Sequence, residues 1–306
     1  MTPGAVRVLF PELKVSAPEV LLPTGSRDTL TDPAGPCYAC GGPTRRRLVG
    51  ITPMRVCAGC RMGAVDRSAE IADYWSRREG AEELQEIHWQ ARRKLFARAL
   101  ARIEAGEEPG RAVDVGGGVG YFAEVALQRG WDAYSMDTSP LARAAAAERV
   151  GRERSLSADD ASRFAGSCDL VTIWCVIAHV PDPRELLRRA AGLLKPGGTL
   201  LVTTPNFLFQ APYARALARL GRPLDFVAHD HWLHFTPAAL DRLLGQAGLD
   251  RWSYRYLGVT EDCVLERRLS ALLVPAKRVW NRAAVHTTAL GLPPLCAELQ
   301  VLGVKG

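Results

Sequence analysis

Residues Arg111–Val115 form a short apolar run. It ends in Gly116-Gly117-Gly118-Val119-Gly120 and opens directly onto a helical pattern over 120–128. A strand that passes into a helix through glycines constrains everything around it. The turn needs residues that tolerate positive φ and close backbone approach, and the strand meets its parallel neighbours only through crossovers. The following residues meet that demand. Trp131–Met136, Asp169–Cys175 and Thr199–Thr204 read as strands, with Pro140–Val150 and Pro183–Leu194 as helices between them. Such alternation predicts an α/β fold, a parallel sheet with helices on both faces. Thr236-Pro237 starts another helix, with Thr as N-cap and Pro in the first turn, running to about Gln246. Arg251–Tyr256 and Glu298–Val304 read as the last strands, and Glu266–Leu290 as helix.

The glycine spacing is not that of a phosphate-binding P-loop. Its place between strand and helix suits a nucleotide-like ligand at the strand's carboxyl end. Asp114, just before the glycines, either orients the loop or receives an ammonium group. Asp137 ends the second strand, about twenty positions beyond the loop, where an acidic side chain accepts hydrogen bonds from ribose hydroxyls; alternatively it caps the helix that begins near Pro140.

Ahead of this region stand two matched pairs, Cys37-Tyr-Ala-Cys40 and Cys57-Ala-Gly-Cys60, sixteen residues apart. Each pair places two thiolates on a tight turn, the spacing of a four-thiolate zinc site. A redox dithiol would open a helix beside a strand, and no such frame surrounds either pair. Four protein ligands leave Zn²⁺ no open position, so the expected ion is structural. A segment of about thirty residues buries little core, and the metal would supply its folding energy. Cys168, Cys175, Cys263 and Cys296 lack partner spacing and read as small buried hydrophobes.

With 47% hydrophobic and 24% charged residues, the 306-residue chain has ordinary globular composition. Its apolar stretches, such as Leu170–Val180, fall short of the ~20 residues of a membrane span. Charges and prolines interrupt the first thirty residues, so no export signal is expected, and the thiols should be reduced in a cytoplasmic protein. The division expected is an extended arm over 1–35, a zinc ribbon over 36–66, a helical linker or lid over 67–108, and one domain over 109–306. A net charge of +6 over the whole chain is weak evidence for nucleic acid. The dense basic runs Arg45-Arg46-Arg47 and Arg92-Arg93-Lys94 read as solvated faces, or as holders of phosphates.

The stretch from Arg111 to about Asp250 resembles class I S-adenosylmethionine (SAM)-dependent methyltransferases. The resemblance rests on Asp114-Val-Gly-Gly-Gly-Val-Gly120, on Met136-Asp137-Thr-Ser139, and on Cys168-Asp-Leu-Val-Thr-Ile-Trp-Cys175 with Ala178-His-Val-Pro-Asp-Pro183. It rests also on Leu194-Lys-Pro-Gly-Gly198 followed by Leu200–Asn206, and on His231-Trp-Leu-His-Phe-Thr236. It implies a Rossmann-like, doubly wound, mostly parallel seven-stranded sheet behind the small ribbon. It also implies SAM rather than a dinucleotide, because the Lys-Pro-Gly-Gly turn before the fifth strand is a feature of this family.

The same resemblance implies roles for individual positions. Gly116, Gly117 and Gly118 let the backbone approach the methionyl part, while Asp137, with Thr138 beside it, takes the ribose. Ala158 and Asp159 flank the adenine. Trp174 and Cys175 meet the methionyl ammonium through backbone oxygens. His179 and the segment His229–His234 face the acceptor. Many relatives carry Glu-His where this chain has Ala178-His179, so their acceptor chemistry does not transfer.

Because SAM is already activated, the protein mainly aligns donor and acceptor. A base is needed for a hydroxyl, an acidic carbon or a protonated amine, and neutral imidazole suits that task. His179 and His231 are the candidates, with shaping of the substrate pocket as the alternative role of each. The function expected is methyl transfer to the O, N or C of a small-molecule acceptor in a biosynthetic pathway, such as a sugar or natural-product intermediate. Two other readings stand beside it. One is an RNA methyltransferase that docks through the ribbon and the basic runs; the other is a SAM- and zinc-binding regulatory protein without turnover.

Overall fold

The computed structural model describes residues 33–65, 82–106, 108–221, 231–257 and 298–306. The sheet begun at the glycine loop has seven strands. In chain order they are β5 (Arg111–Val115), β6 (Asp132–Met136), β7 (Ser155–Leu156), β8 (Cys168–Trp174), β9 (Leu194–Pro205), β11 (Leu249–Leu257) and β12 (Glu298–Lys305). Their order across the sheet is β11-β12-β9-β8-β5-β6-β7. The pairs from β9 to β7 are parallel, and β12 is antiparallel to both its neighbours. This is the doubly wound, mostly parallel sheet expected.

Helices cover both faces, and the strands are apolar on both sides as that demands. In β8, Val171 and Ile173 face the cluster that includes Leu187 of α4 (Pro183–Leu193) and Leu240 and Leu243 of α6 (Pro237–Gln246). Leu170 and Trp174 face the opposite cluster, with Phe96 and Leu100 of α1 (Glu82–Ile103) and Phe122 of α2 (Tyr121–Gln128). The period of two along each strand separates the two cores.

Three helix starts share one local solution, an N-cap oxygen followed by Pro in the first turn. Ser139 caps α3 (Pro140–Val150) by accepting the Ala142 amide. Asp182 caps α4 through the Arg184 and Glu185 amides, and Thr236 caps α6 through Ala239. These starts fall where the sequence places them.

Other boundaries differ. Strand β9 begins at Leu194, not Thr199, so the Lys-Pro-Gly-Gly stretch belongs to the strand. A register shift against β8 and a positive φ of 78° at Gly197 absorb the bend. Helix α5 (Phe207–Arg219) has no counterpart in the sequence reading. Pro212 lies inside it and hides the helical pattern, while Asn206 caps its start by accepting the Leu208 amide. The expected helix over 266–290 and Cys263, Cys296 and His229 lie outside the described residues.

A second, antiparallel sheet has the order β1-β2-β3-β4-β10. Strands β1 (Pro33–Pro36), β2 (Pro43–Val49), β3 (Thr52–Cys57) and β4 (Gly63–Val65) carry the cysteine turns, and β1 starts inside the segment read as an arm. The fifth strand, β10 (Leu233–His234), comes from the other end of the chain. Among the described residues, no helix is long and apolar enough to cross a membrane.

Candidate active site

The chain winds outward from β5 to β6 and β7, then returns to β8 and β9 on the other side. The carboxyl ends of β5 and β8 therefore meet at a topological switch point, where ligands bind in open α/β sheets. Gly116 and Gly117 follow β5, and their amides donate to the Met136 carbonyl at 2.8 and 3.1 Å. Gly116 has φ 72°, and a Cβ there would lie 2.4 Å from Val176 Cγ2, just past β8. Glycine at this position thus lets the two switch-point loops touch.

Asp137 lies on β6's side of the same point. Its Oδ2 accepts the Gly118 amide and its Oδ1 the Ser139 amide, each at 2.9 Å. The carboxylate braces the glycine loop and the entry to α3, and both oxygens keep further acceptor capacity. Thr138 is exposed beside it, and Ala158 and Asp159 are exposed beyond β7 at the sheet's edge.

Asp114 is buried under the loop, and Thr172 of β8 donates to its Oδ1 at 2.6 Å. Burial pushes this carboxyl up to about 8, the Thr172 hydrogen bond opposes the shift, and the charge of Asp137 adds to it. A small recess opens beside it, lined among others by Asp114, Gly116, Tyr121 and Trp174. Among the described residues, the buried Tyr121 hydroxyl and Trp174 indole N–H have no hydrogen-bond partner. The Trp174 ring stands edge-on to Phe96 of α1 at 4.7 Å.

Cys175 has φ 57°, a left-handed conformation uncommon outside glycine. Its amide donates to the Thr203 hydroxyl at 3.0 Å, and Arg92 of α1 directs Nη1 to its sulfur at 3.3 Å. Arg92 also pairs with Glu298 at 3.3 Å and is 7% exposed. Two expectations are corrected here. Arg92 is no part of a solvated basic run, because a helix turns its consecutive residues to different faces and Glu298 compensates this one inside. Cys175 is a half-buried, polar-contacted thiol at a bend, whereas Cys168 is a buried thiol pushed up to about 11 by burial.

His179 and His231 come together. Their half-buried rings lie 4.6 Å apart, tilted by 36°. Ala178 fixes this approach: its carbonyl accepts the Trp232 and Leu233 amides at 3.3 and 3.2 Å. His234 is buried behind them. Its Nε2 lies 3.2 Å from the His231 carbonyl oxygen and its Nδ1 3.0 Å from Gln210 Oε1 on α5.

The sulfurs of Cys37, Cys40, Cys57 and Cys60 all lie within 4.8 Å of one another. The pairs 37–60 and 40–57 are separated by 3.5 Å, and 40–60 by 3.7 Å. A tetrahedral ion with ~2.3 Å bonds spaces its ligands by ~3.8 Å, which this cluster approaches. The Ala39 amide points to the Cys37 sulfur at 3.4 Å, and the hydrogen bond between Cys37 and Cys60 pulls the Cys37 thiol down to about 5. The sequence thus located the loops, the cysteines and the histidines. It missed Arg92, Thr172, Tyr121 and Gln210, of which Arg92 was masked by its charged neighbours.

Residues 88–254 match the family model described as a methyltransferase domain. The ubiquinone biosynthesis O-methyltransferase of Xanthomonas axonopodis pv. citri is 33% identical over 204 residues, covering 60% of this chain and 79% of that enzyme. The enzyme of the same name from Cupriavidus pinatubonensis is 29% identical, covering 61% and 76%. A SAM-dependent methyltransferase structure from Mesorhizobium loti aligns at 22% identity with a TM-score of 0.47, covering 68% of this chain and 98% of that one. The family match spans more than half of the chain and takes in β5, β6, β8 and the loops that meet at their ends, so the chain belongs to the SAM-dependent methyltransferase family.

Proposed function

We propose that the protein transfers the methyl group of SAM to a hydroxyl oxygen of a small acceptor in a cytoplasmic biosynthetic pathway, such as a sugar or natural-product intermediate. The observation that carries this reading is the facing pair His179 and His231 on the loops around the carboxyl end of β8, whose other side meets the glycine loop. Relatives named O-methyltransferases support oxygen as the attacking atom.

The residues at the switch point fit SAM. The Tyr121 hydroxyl and Trp174 N–H, without a partner among the described residues, lie beside the buried acid Asp114 in one recess. Buried donors beside an acid suit a group carrying both a carboxylate and an ammonium. Asp137, with Thr138 beside it, takes the ribose hydroxyls, and Ala158 and Asp159 rim the adenine. Bound there, SAM supplies a methyl already activated on a sulfonium sulfur. The chain then has two tasks. It orients the acceptor against the imidazole pair, and one imidazole removes the hydroxyl proton as the oxygen attacks.

Cys37, Cys40, Cys57 and Cys60 hold one Zn²⁺. Four thiolates close its coordination, so it stabilises the ribbon and takes no part in the transfer. Incubating the protein with SAM and a panel of phenolic, sugar and natural-product hydroxyls, followed by mass spectrometry, tests the acceptor class. Gain of one methyl by a panel member supports it. Methylation of RNA transcripts and of no panel member would overturn it.

A further inference from the structure

The sheet of the ribbon ends on β10, two residues past His231. Leu233 pairs with Ala64 and His234 with Gly63, and the Val65 amide donates to the Trp232 carbonyl at 2.8 Å. The metal-ligand turn itself reaches the same segment: the Thr236 hydroxyl donates to the Cys60 carbonyl at 2.5 Å. Tyr38, between the first two cysteines, stands edge-on to Trp232 at 5.8 Å. On the other flank, Met54 and Val65 share a small core with Phe207 and Ala211 of α5. The Phe207 ring lies 5.5 Å from that of His234.

From β10 the connection runs on to both candidate bases. His234 holds the His231 carbonyl, and the Trp232 and Leu233 amides hold Ala178, which precedes His179. The cofactor side draws its bonds from elsewhere. The amides of Gly116, Gly117 and Gly118 are taken by Met136 and Asp137 of the β6 end.

We propose that the four-cysteine site is the positioning element of the acceptor side: by holding β4 it holds β10, and through β10 the approach of His231 to His179. The amides of the glycine loop are held by the β6 end instead. The inference rests on the zinc reading above. It assigns the metal a local duty, keeping two imidazoles in register, beyond stabilising the ribbon.

Two perturbations of the full-length, zinc-loaded protein test it. The first is chelation. The second is Gly63→Ala, which leaves the cysteines intact but places a Cβ 2.6 Å from Phe207 Cζ and so pushes the ribbon against α5. The readouts are zinc content, hydrogen exchange of peptides covering 231–236, imidazole proton resonances of His179 and His231, and calorimetry with S-adenosylhomocysteine. Chelation should raise exchange over 231–236 by about tenfold or more, as local opening does, and separate the two imidazole resonances. S-adenosylhomocysteine affinity should change less than about threefold. Gly63→Ala should do the same with one zinc still bound. Exchange over 231–236 that ignores both perturbations, or cofactor-product binding lost in step with it, would overturn the inference while leaving the zinc assignment intact. Purified protein without zinc would overturn the zinc assignment, and the inference with it.

Discussion

The Gly118 amide and the Asp137 carboxylate are joined by a 2.9 Å hydrogen bond, so the residue proposed to take the ribose also shapes the loop under the methionyl end. Asp137→Ala should therefore weaken SAM binding by about 1–3 kcal/mol, the range for losing hydrogen bonds to a charged acceptor. It should also raise hydrogen exchange at 116–119. Asp137→Asn, which still offers one acceptor oxygen, should restore the loop better than it restores affinity. Calorimetry finding wild-type SAM affinity in Asp137→Ala would remove the ribose assignment.

Asp114 gives a pH signature. Its carboxyl is pushed up to about 8 by burial, so the folded state holds a proton that the unfolded state releases near pH 4. Between those values the folded chain binds more protons, and the contribution of Asp114 to stability falls as pH rises, levelling off above about 8. Thermal melts of Asp114→Asn should thus gain on wild type from pH 5 to pH 8. A constant difference across that range would show that Asp114 stays ionised in the folded protein.

How much of this was legible in the sequence depends on whether a signal is local. Ser139-Pro140, Asp182-Pro183 and Thr236-Pro237 each hold the oxygen and the ring that start a helix, so α3, α4 and α6 were readable to within a residue. Helix α5 was not, because Pro212 sits inside it and packing against the ribbon sustains it. The cysteine spacing exposed the cluster but not the β4–β10 pairing, which joins residues about 170 positions apart and leaves no periodic trace. Arg92 was misread for a similar reason: its partner Glu298 is 206 positions away, and nothing near Arg92 announces its burial.

Removing Arg92 leaves Glu298, whose side chain is 15% exposed, without its cation. Breaking a buried pair from one side is costly, and Arg92→Ala should destabilise the protein by about 3 kcal/mol. Arg92→Met with Glu298→Gln should recover part of that loss. Urea melts decide the matter, and a single variant as stable as wild type would show that the pair contributes nothing.

The purified protein should carry one zinc per chain, and Cys40→Ser should lose it. Cys40 approaches both Cys57 and Cys60, at 3.5 and 3.7 Å, so a serine there opens the tetrahedron between the two turns. Elemental analysis with limited proteolysis over 36–66 would show the loss of metal and of protection together. Metal-free wild type, or a Cys37–Cys40 disulfide by mass spectrometry, would refute the assignment.

The base is tested by kinetics once an acceptor is found. His179 and His231 face each other at 4.6 Å, and the ring that takes the hydroxyl proton must touch the acceptor. If one of them is the base, its replacement by Ala should lower kcat by roughly 10²–10⁴ and leave SAM affinity nearly unchanged. If both rings only shape the pocket, KM should rise while kcat barely moves. The two differ in what holds them, which gives a further check. His231 hangs from the β10 segment and His179 from the loop after β8, so His234→Ala, which frees the His231 carbonyl, should mimic a mild His231 variant. Wild-type kcat in both His179→Ala and His231→Ala would assign proton removal to another residue or to water, and the pair would then be a wall of the acceptor pocket.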